Sequence, residues 1–479
     1  MNDISLIIPE MLLLALACGV LLLDAFIGKR HPAVTFWCTV GSCLIVLGQV
    51  ASYVPEAATF GFAGTFRVDV LGTVLKAFLL VLVVLSFFYA REYFNKRPSV
   101  PSEYYPLALF ATLGMMILVS ANSLITIYLG LELLSLSLYS LVAMQRDSVN
   151  ASEAAMKYFV LGALASGMLL YGMSMLYGVA GTLDLSELLI KVDHLEQQRL
   201  LLTFGLVFLV VGIAFKLGLV PFHMWVPDVY QGAATPVTQF IGTAPKLAAF
   251  GMAMRLLVDG LWGLVEEWQQ MLVILALLSM GVGNILAIAQ TNLKRMLAYS
   301  TIAHMGFFLL GMLSATASGY AASMFYVTMY ALMSMGAFGA IILLASAHSE
   351  SDQLSDLAGL AKRNPWLAFM LMILMFSMAG VPPFGGFWAK WFVLKQAVVA
   401  NYVWLAGVAV FFSIIGAYYY LRIVKIMYFD EPSDALNSET SADLKLVFSV
   451  NTLAVLALGV MPGALMTVCI SATIPYLPW

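Results

Sequence analysis

Charge is what this chain has least of: Asp, Glu, Lys and Arg make up 10% of its 479 residues, against roughly 25% in soluble domains. Hydrophobic residues fill 62%, and the mean hydropathy is +0.94. These values exclude a soluble domain and indicate an integral membrane protein with helical spans. At about 20 apolar residues per span plus short connections, the length admits on the order of 14 helices. That is too much apolar sequence for a leader peptide or a single anchor. The net charge of −3 is too small for a nucleic-acid partner, so the bilayer is the expected surroundings.

Cysteine is equally sparse. Cys18, Cys38, Cys43 and Cys469 lie in apolar runs without C-x-x-C spacing, which argues against an iron–sulfur or zinc site and leaves buried, inert thiols as the expectation. No G-x-G-x-x-G enters a helix after a strand, and there is no phosphate-binding loop. No cofactor, metal or catalytic redox centre is therefore expected in this chain.

What is present is a series of apolar runs, near 5–27, 33–53, 69–91, 104–120, 122–144, 153–180, 200–223, 235–258, 269–290, 296–314, 319–346, 365–398, 402–428 and 445–472. The expected fold is an all-α polytopic bundle. Basic residues cluster in alternate connections: Lys29, Arg30, Arg91, Lys96, Arg97, Arg146, Lys294, Arg295, Lys362, Arg363, Arg422, Lys425 and Lys445 fall on one side. Arg67, Lys191, Arg199 and Arg255 fall on the other. By the positive-inside rule the first group is cytoplasmic and both termini lie outside. The polar connections near 181–199 and 429–444 are too short for an extramembrane domain.

Proline should interrupt three of these spans. Val220-Pro221-Phe222-His223-Met224-Trp225-Val226-Pro227-Asp228 joins the seventh and eighth, and Gly380-Val381-Pro382-Pro383-Phe384-Gly385-Gly386-Phe387-Trp388 lies within the twelfth. Proline removes a backbone donor and clashes with the preceding turn, and a broken helix is tolerated at membrane depth only beside protein or a cavity. The two segments look alike, which is the mark of a transporter built from inverted halves. The chain then divides into a three-helix segment (1–103), a first five-helix repeat (104–258), a second (259–428), and a loop with a C-terminal helix (429–479), with broken helices 7, 8 and 12.

The few charges inside spans are the candidate site. Lys216, Lys246, Lys390 and Glu132 each sit in a run apolar enough to cross a bilayer. Each costs roughly 2.5–3.5 kcal/mol at a helix centre, so a series of them must face a wet or paired interior. Burial loosens a lysine's hold on its proton and a nearby carboxylate tightens it, so a movable Glu132–Lys216 pair could load and unload a proton. His223 and His304 titrate near neutrality and suit a relay, although a satisfied core histidine is the competing reading. Lys157, early in the sixth span, is a channel gateway or an interfacial anchor. For Glu132 and Lys216 the competing reading is a structural ion pair. For Lys246 and Lys390 it is snorkelling to an interface, Lys395 lying a turn beyond Lys390. Lys294, Arg295, Arg91 and Arg97 are most simply positive-inside anchors. Gly162, Ala163, Ala165, Ser166 and Gly167 should allow close helix contact. Tyr418, Tyr419 and Tyr420 should lie on packed helix faces.

The run Phe215-Lys216-Leu217-Gly218-Leu219-Val220-Pro221-Phe222-His223-Met224-Trp225-Val226-Pro227-Asp228-Val229-Tyr230-Gln231-Gly232-Ala233, continuing to Pro236-Val237-Thr238 and Lys246, resembles the antiporter-like membrane subunits of respiratory complex I. Gly130-Leu131-Glu132-Leu133, Thr291-Asn292-Leu293-Lys294-Arg295-Met296-Leu297-Ala298-Tyr299-Ser300 and Ala379-Gly380-Val381-Pro382-Pro383 extend the resemblance through nearly the whole chain. Ala234 stands where the family usually has proline. Lysine rather than glutamate at the twelfth-helix position is similar to the N-type subunits.

The resemblance implies a proton channel without electron transfer. It gives Glu132, Lys216, Lys246 and Lys390 the family's roles of pairing carboxylate, paired lysine, linking lysine and exit residue. It also implies that NADH, FMN, iron–sulfur clusters and quinone lie on other subunits, and that the partners are further membrane-arm subunits, including the antiporter-like ones and a lateral helix from the distal one, in a bacterial inner membrane. The expected route enters at Lys216, passes His223, Lys246 and His304, and leaves by Lys390. A D-type subunit of a multi-subunit cation/proton antiporter and a scaffold subunit remain as alternatives.

Overall fold

In the computed structural model of the chain, residues 3–28, 30–97, 103–346, 350–432 and 441–474 are described. Lys29 lies outside them. The molecule is mostly helical, and eleven helices among the described residues are long and apolar enough to cross a membrane. In chain order the main helices are α1 Ile8–Gly28, α2 Pro32–Ala51, α3 Val70–Lys96, α4 Tyr104–Ser120, α5 Leu124–Val142 and α6 Val149–Ala180. Next come α7 Arg199–Leu217, α8 Trp225–Gly232, α9 Thr235–Gly260, α10 Trp262–Ile288, α11 Leu293–Met312 and α12 Ala317–Leu344. The last are α13 Pro365–Ala379, α14 Gly385–Val399, α15 Val403–Phe429, α16 Ala442–Val460 and α17 Pro462–Thr473.

Burial orders these helices. The apolar window of α9 is 100% buried and that of α12 is 89% buried, whereas α1 is 28% buried. A span that is hydrophobic all round and touches no lipid-facing surface is a core element. α9 and α12 pack on each other at the centre, and α4–α5, α6–α7 and α10–α11 form antiparallel hairpins around them.

Helix starts follow the sequence's capping residues. Asp69 accepts the Gly72 N–H at the head of α3, Asn292 accepts that of Arg295 at the head of α11, and Asn364 accepts that of Leu367 at the head of α13. α7 and α13 end alike. Gly218 (φ +78°) and Gly380 (φ +88°) take the left-handed conformation, and their N–H groups close on the carbonyls of Ala214 and Phe376. Each is followed by a proline-containing turn with a cis peptide, at Val220–Pro221 and at Pro382–Pro383. α9 is interrupted at Thr243, where Pro245 removes the donor that would have closed on Ile241, and it ends in a π-helical stretch, Met254–Gly260. Interruption of the seventh, eighth and twelfth spans is therefore present in the fold.

Several expectations need correction. A two-stranded antiparallel hairpin, Thr59–Gly61 with Phe66–Val68, departs from an all-helical fold. Three-residue strands are too short to show a period. The last span is split at Met461 into α16 and α17, because Pro462 opens a new helix. Arg255 is not a connection residue but fully buried, since the π-helical turn carries it into the bundle. Cys18 is exposed on α1, whereas Cys43 and Cys469 are buried. Gly162 faces Tyr139 closely, but Ala163 and Gly167 face outward. Tyr418 is exposed on α15, while Tyr419 and Tyr420 are buried.

Candidate functional site

The end of α7 builds the first part of the site. Termination at Gly218 leaves the last carbonyls of the helix without intrahelical donors, and they carry the negative end of its dipole. The Lys246 ammonium, from α9, donates to the Lys216 carbonyl at 3.1 Å and to the Leu217 carbonyl at 3.0 Å. It also lies 5.3 Å from the centre of the Trp225 ring, whose indole N–H donates to the Phe215 carbonyl at 3.0 Å. The side chain of Lys216 itself turns to α5, donating to Ser135 Oγ at 2.5 Å, and that hydroxyl donates to the Leu131 carbonyl. Lys216 and Lys246 line one cavity with Leu131, Leu134, Tyr158 and Trp225.

Glu132 is not in an ion pair with Lys216. Its half-buried carboxylate precedes Ser135 by three residues, on the same face of α5, and its Oε1 makes no hydrogen bond. The ammonium has taken the hydroxyl one turn along instead. His223 lies in the α7–α8 connection with a buried, unbonded Nδ1 and touches neither lysine through a hydrogen bond.

The end of α13 repeats this chemistry. The Lys390 ammonium, from α14, donates to the Ala379 carbonyl and to Ser413 Oγ, both at 3.0 Å, and sits 5.2 Å from the Phe307 ring centre. Lys390 is 8% exposed and Lys395 points outward, so Lys390 is the inward lysine of that helix. Between the two ends lies His304 of α11, with both ring nitrogens held. Nδ1 meets the Tyr326 hydroxyl at 2.7 Å and Nε2 meets that of Tyr420 at 3.0 Å.

The basic end of the bundle carries charge networks. Lys157 is exposed and pairs with Asp228 at 2.7 Å and Glu153 at 2.8 Å, and Asp228 also takes Arg295 at 2.7 Å. Lys157 thus joins the rim and not Lys216. Lys294 is no surface anchor: it is 2% exposed and donates to the Ala233 carbonyl. Glu350 accepts from Tyr93, Thr235 and Arg97, and lies 3.9 Å from Lys294. Burial works to raise the Glu350 carboxyl, but the Lys294 and Arg97 charges and the Thr235 and Tyr93 hydrogen bonds outweigh it and hold the group below the usual carboxylate range.

At the opposite end Arg255 is chelated by both oxygens of Asp69, at 2.7 and 2.9 Å, and reaches Asp259 at 3.0 Å. Arg67 completes that cluster with Asp69 and Asp259. A further buried pair, Glu10 of α1 with Lys76 of α3 at 2.5 Å, lies in the N-terminal segment.

Residues 121–416 match the family described as NADH:quinone oxidoreductase/Mrp antiporter, TM. Over 474 residues, 97% of this chain and 96% of the other, the sequence is 54% identical to the NADH-quinone oxidoreductase subunit N of Thiobacillus denitrificans. The chain belongs to the N-subunit family of NADH-quinone oxidoreductase. A chain in respiratory complex I from Thermus thermophilus, 31% identical, superposes with a TM-score of 0.82 over 96% of this chain and 98% of that one. A chain of the Mrp complex from a Dietzia species, 20% identical, has the same TM-score of 0.82 over 97% of each and shares the fold.

Placed in this N-subunit family, the site contains residues that sequence reasoning passed over. Ser135 and the tyrosines around His304 carry no charge and so give no signal in an apolar run. Glu10 and Lys76 were legible by the same rule that singled out Lys216, since both are ionisable groups inside spans. Asp228 was visible within the Trp225–Ala233 run. Among the described residues, no group of three or more His, Cys, Asp or Glu is arranged to hold a metal.

Proposed function

We propose that this chain conducts protons as a membrane-arm subunit of proton-pumping NADH:quinone oxidoreductase, driven by redox chemistry on other subunits. The observation that carries the reading is the pair of ammonium groups, Lys216 and Lys246, lining one cavity where α7 breaks. Lys216 sits one turn from Glu132 on the α5 face. A swing of its long side chain from Ser135 to Glu132 exchanges a neutral hydroxyl for a carboxylate, which tightens its hold on a proton, and the return swing releases it. Lys246 is the next acceptor, and its bonds to the Lys216 and Leu217 carbonyls hold it in the wall of the same cavity. His304 and Lys390 continue the route through the second half, and His223 and Lys157 serve the entry side.

The similar ends of α7 and α13 support reading residues 104–258 and 259–428 as inverted repeats within a 14-span architecture. The basic connections support a cytoplasmic placement for that face and outward termini in a bacterial inner membrane. The partners in this reading are neighbouring membrane-arm subunits and the lateral helix of the distal one, with NADH, FMN, iron–sulfur clusters and quinone held elsewhere.

The test is the assembled complex in vesicles. Glu132→Gln and Lys216→Met are expected to lower proton translocation per NADH oxidised. Unchanged stoichiometry in both variants contradicts the proposal, and sodium-dependent transport would favour an antiporter instead.

A further inference from the structure

His304 is 3% exposed, yet both its ring nitrogens meet hydroxyls. A neutral imidazole has one donor and one acceptor nitrogen, so one tyrosine must accept from it while the other donates to it. Each tyrosine then leads in a different direction. Tyr326 shares a face of α12 with Tyr330, four residues on, and the Tyr330 hydroxyl meets Thr301 Oγ1 at 2.6 Å. Beside Thr301 and Tyr330 lies Tyr230 of α8, whose buried hydroxyl faces Thr301 and approaches Gly242, one turn before Lys246 on α9. Tyr420 shares a face of α15 with Ser413, two turns or about 10 Å away, and Ser413 is the hydroxyl on Lys390. Tyr420 also holds Ser300 at 2.5 Å as a side branch.

We propose that Tyr326 and Tyr420 are proton-relay residues, making His304 a two-sided bridge between the Lys246 half and the Lys390 half of the route. The inference rests on the proton-conducting reading above and adds to it. In the forward step the Tyr326 oxygen gains a proton from the Tyr330 side as its own proton passes to His304 Nδ1. The imidazole then releases its Nε2 proton to the Tyr420 oxygen, whose original proton leaves toward Ser413 through water. One proton enters and one leaves, no net charge is kept, and the imidazole ends in the opposite tautomer. The hydroxyls must rotate before the next proton can follow. The Tyr230 hydroxyl, set between Thr301 and Gly242, marks where water would join Lys246 to this ladder.

Tyr326→Phe and Tyr420→Phe keep each ring and remove only the hydroxyl. In the assembled complex in vesicles, each is expected to lower the proton-pumping rate at least about threefold, a floor well below what a positioned proton donor contributes. Tyr418→Phe, at an exposed ring on the same helix, should pump as the unaltered complex does. Wild-type pumping in both relay variants overturns the bridge. If the phenylalanine variants fail to assemble, 3-fluorotyrosine at position 420 keeps the shape and makes the hydroxyl more acidic. A displaced pH profile of pumping then supports the relay, and an unaltered profile overturns it. Lys246→Met separates the two claims: full pumping there sinks the conducting role itself, whereas lost pumping there with intact tyrosine variants sinks only the bridge.

Discussion

A lysine in an apolar helix needs acceptors, and Lys246 and Lys390 find them in the same kind of place, on carbonyls that a helix break has set free. That explains why the charge and the break occur together. Ser135 tunes the third lysine. Ser135→Ala removes the acceptor on Lys216, so the ammonium should move to Glu132 and the pumping rate should fall, which a vesicle pumping assay reads directly. Glu350 gives a pH-dependent prediction. Its folded value lies below the ordinary carboxylate range, so its contribution is present above about pH 4.3 and is lost as pH falls through the lower folded value. Glu350→Gln should cost about 1–3 kcal/mol at pH 7, read as a lower melting temperature, with the difference fading below about pH 4. The intramembrane lysines were legible because an ammonium in an apolar run has no ordinary use. Ser135, Tyr326 and Tyr420 were not, because hydroxyls are common in membrane helices and their pairing is set only by packing. That Lys216 rests on Ser135 and not on Glu132 was not legible for the same reason, since spacing along one chain does not decide which acceptor on another helix lies nearer.

The breaks are features of whole elements. Gly218 and Gly380 sit at positive φ, and an added Cβ would come within 2.7 Å of Val226 Cγ2 at the first and 3.0 Å of Lys390 Cδ at the second. Gly218→Ala and Gly380→Ala should each destabilise by roughly 1–2 kcal/mol from backbone handedness, and by more at 218, where Val226 belongs to a packed helix. Thermal melting of the assembled complex measures this. Both variants should also displace the carbonyls that hold Lys246 and Lys390. These breaks were legible because proline and glycine act locally on the backbone. The Thr59–Val68 hairpin was not, because its three-residue strands are too short to show a period, nor was the π-helical turn at Arg255, whose guanidinium is held by the distant Asp69.

For the whole molecule, one end holds the Asp69–Arg255–Asp259–Arg67 cluster and the other holds the Lys157–Asp228–Arg295 and Lys294–Glu350–Arg97 networks. They clamp the two ends of the bundle around a centre where the ionisable groups are sparser. Arg255→Leu leaves two buried carboxylates short of a cation and should cost about 3–5 kcal/mol, read as loss of assembled subunit from the membrane. The sequence placed Arg255 and Lys294 in connections, because hydropathy windows cannot tell a buried charge at a helix end from a solvated one. The central claim is that the buried amines and His304 are linked by a hydrated path. A density map of the assembled complex that resolves water tests it most directly. The account predicts ordered waters between Lys246 and the Tyr230 hydroxyl and between Tyr420 and Lys390, and a map showing both gaps dry and closed by apolar side chains would contradict it.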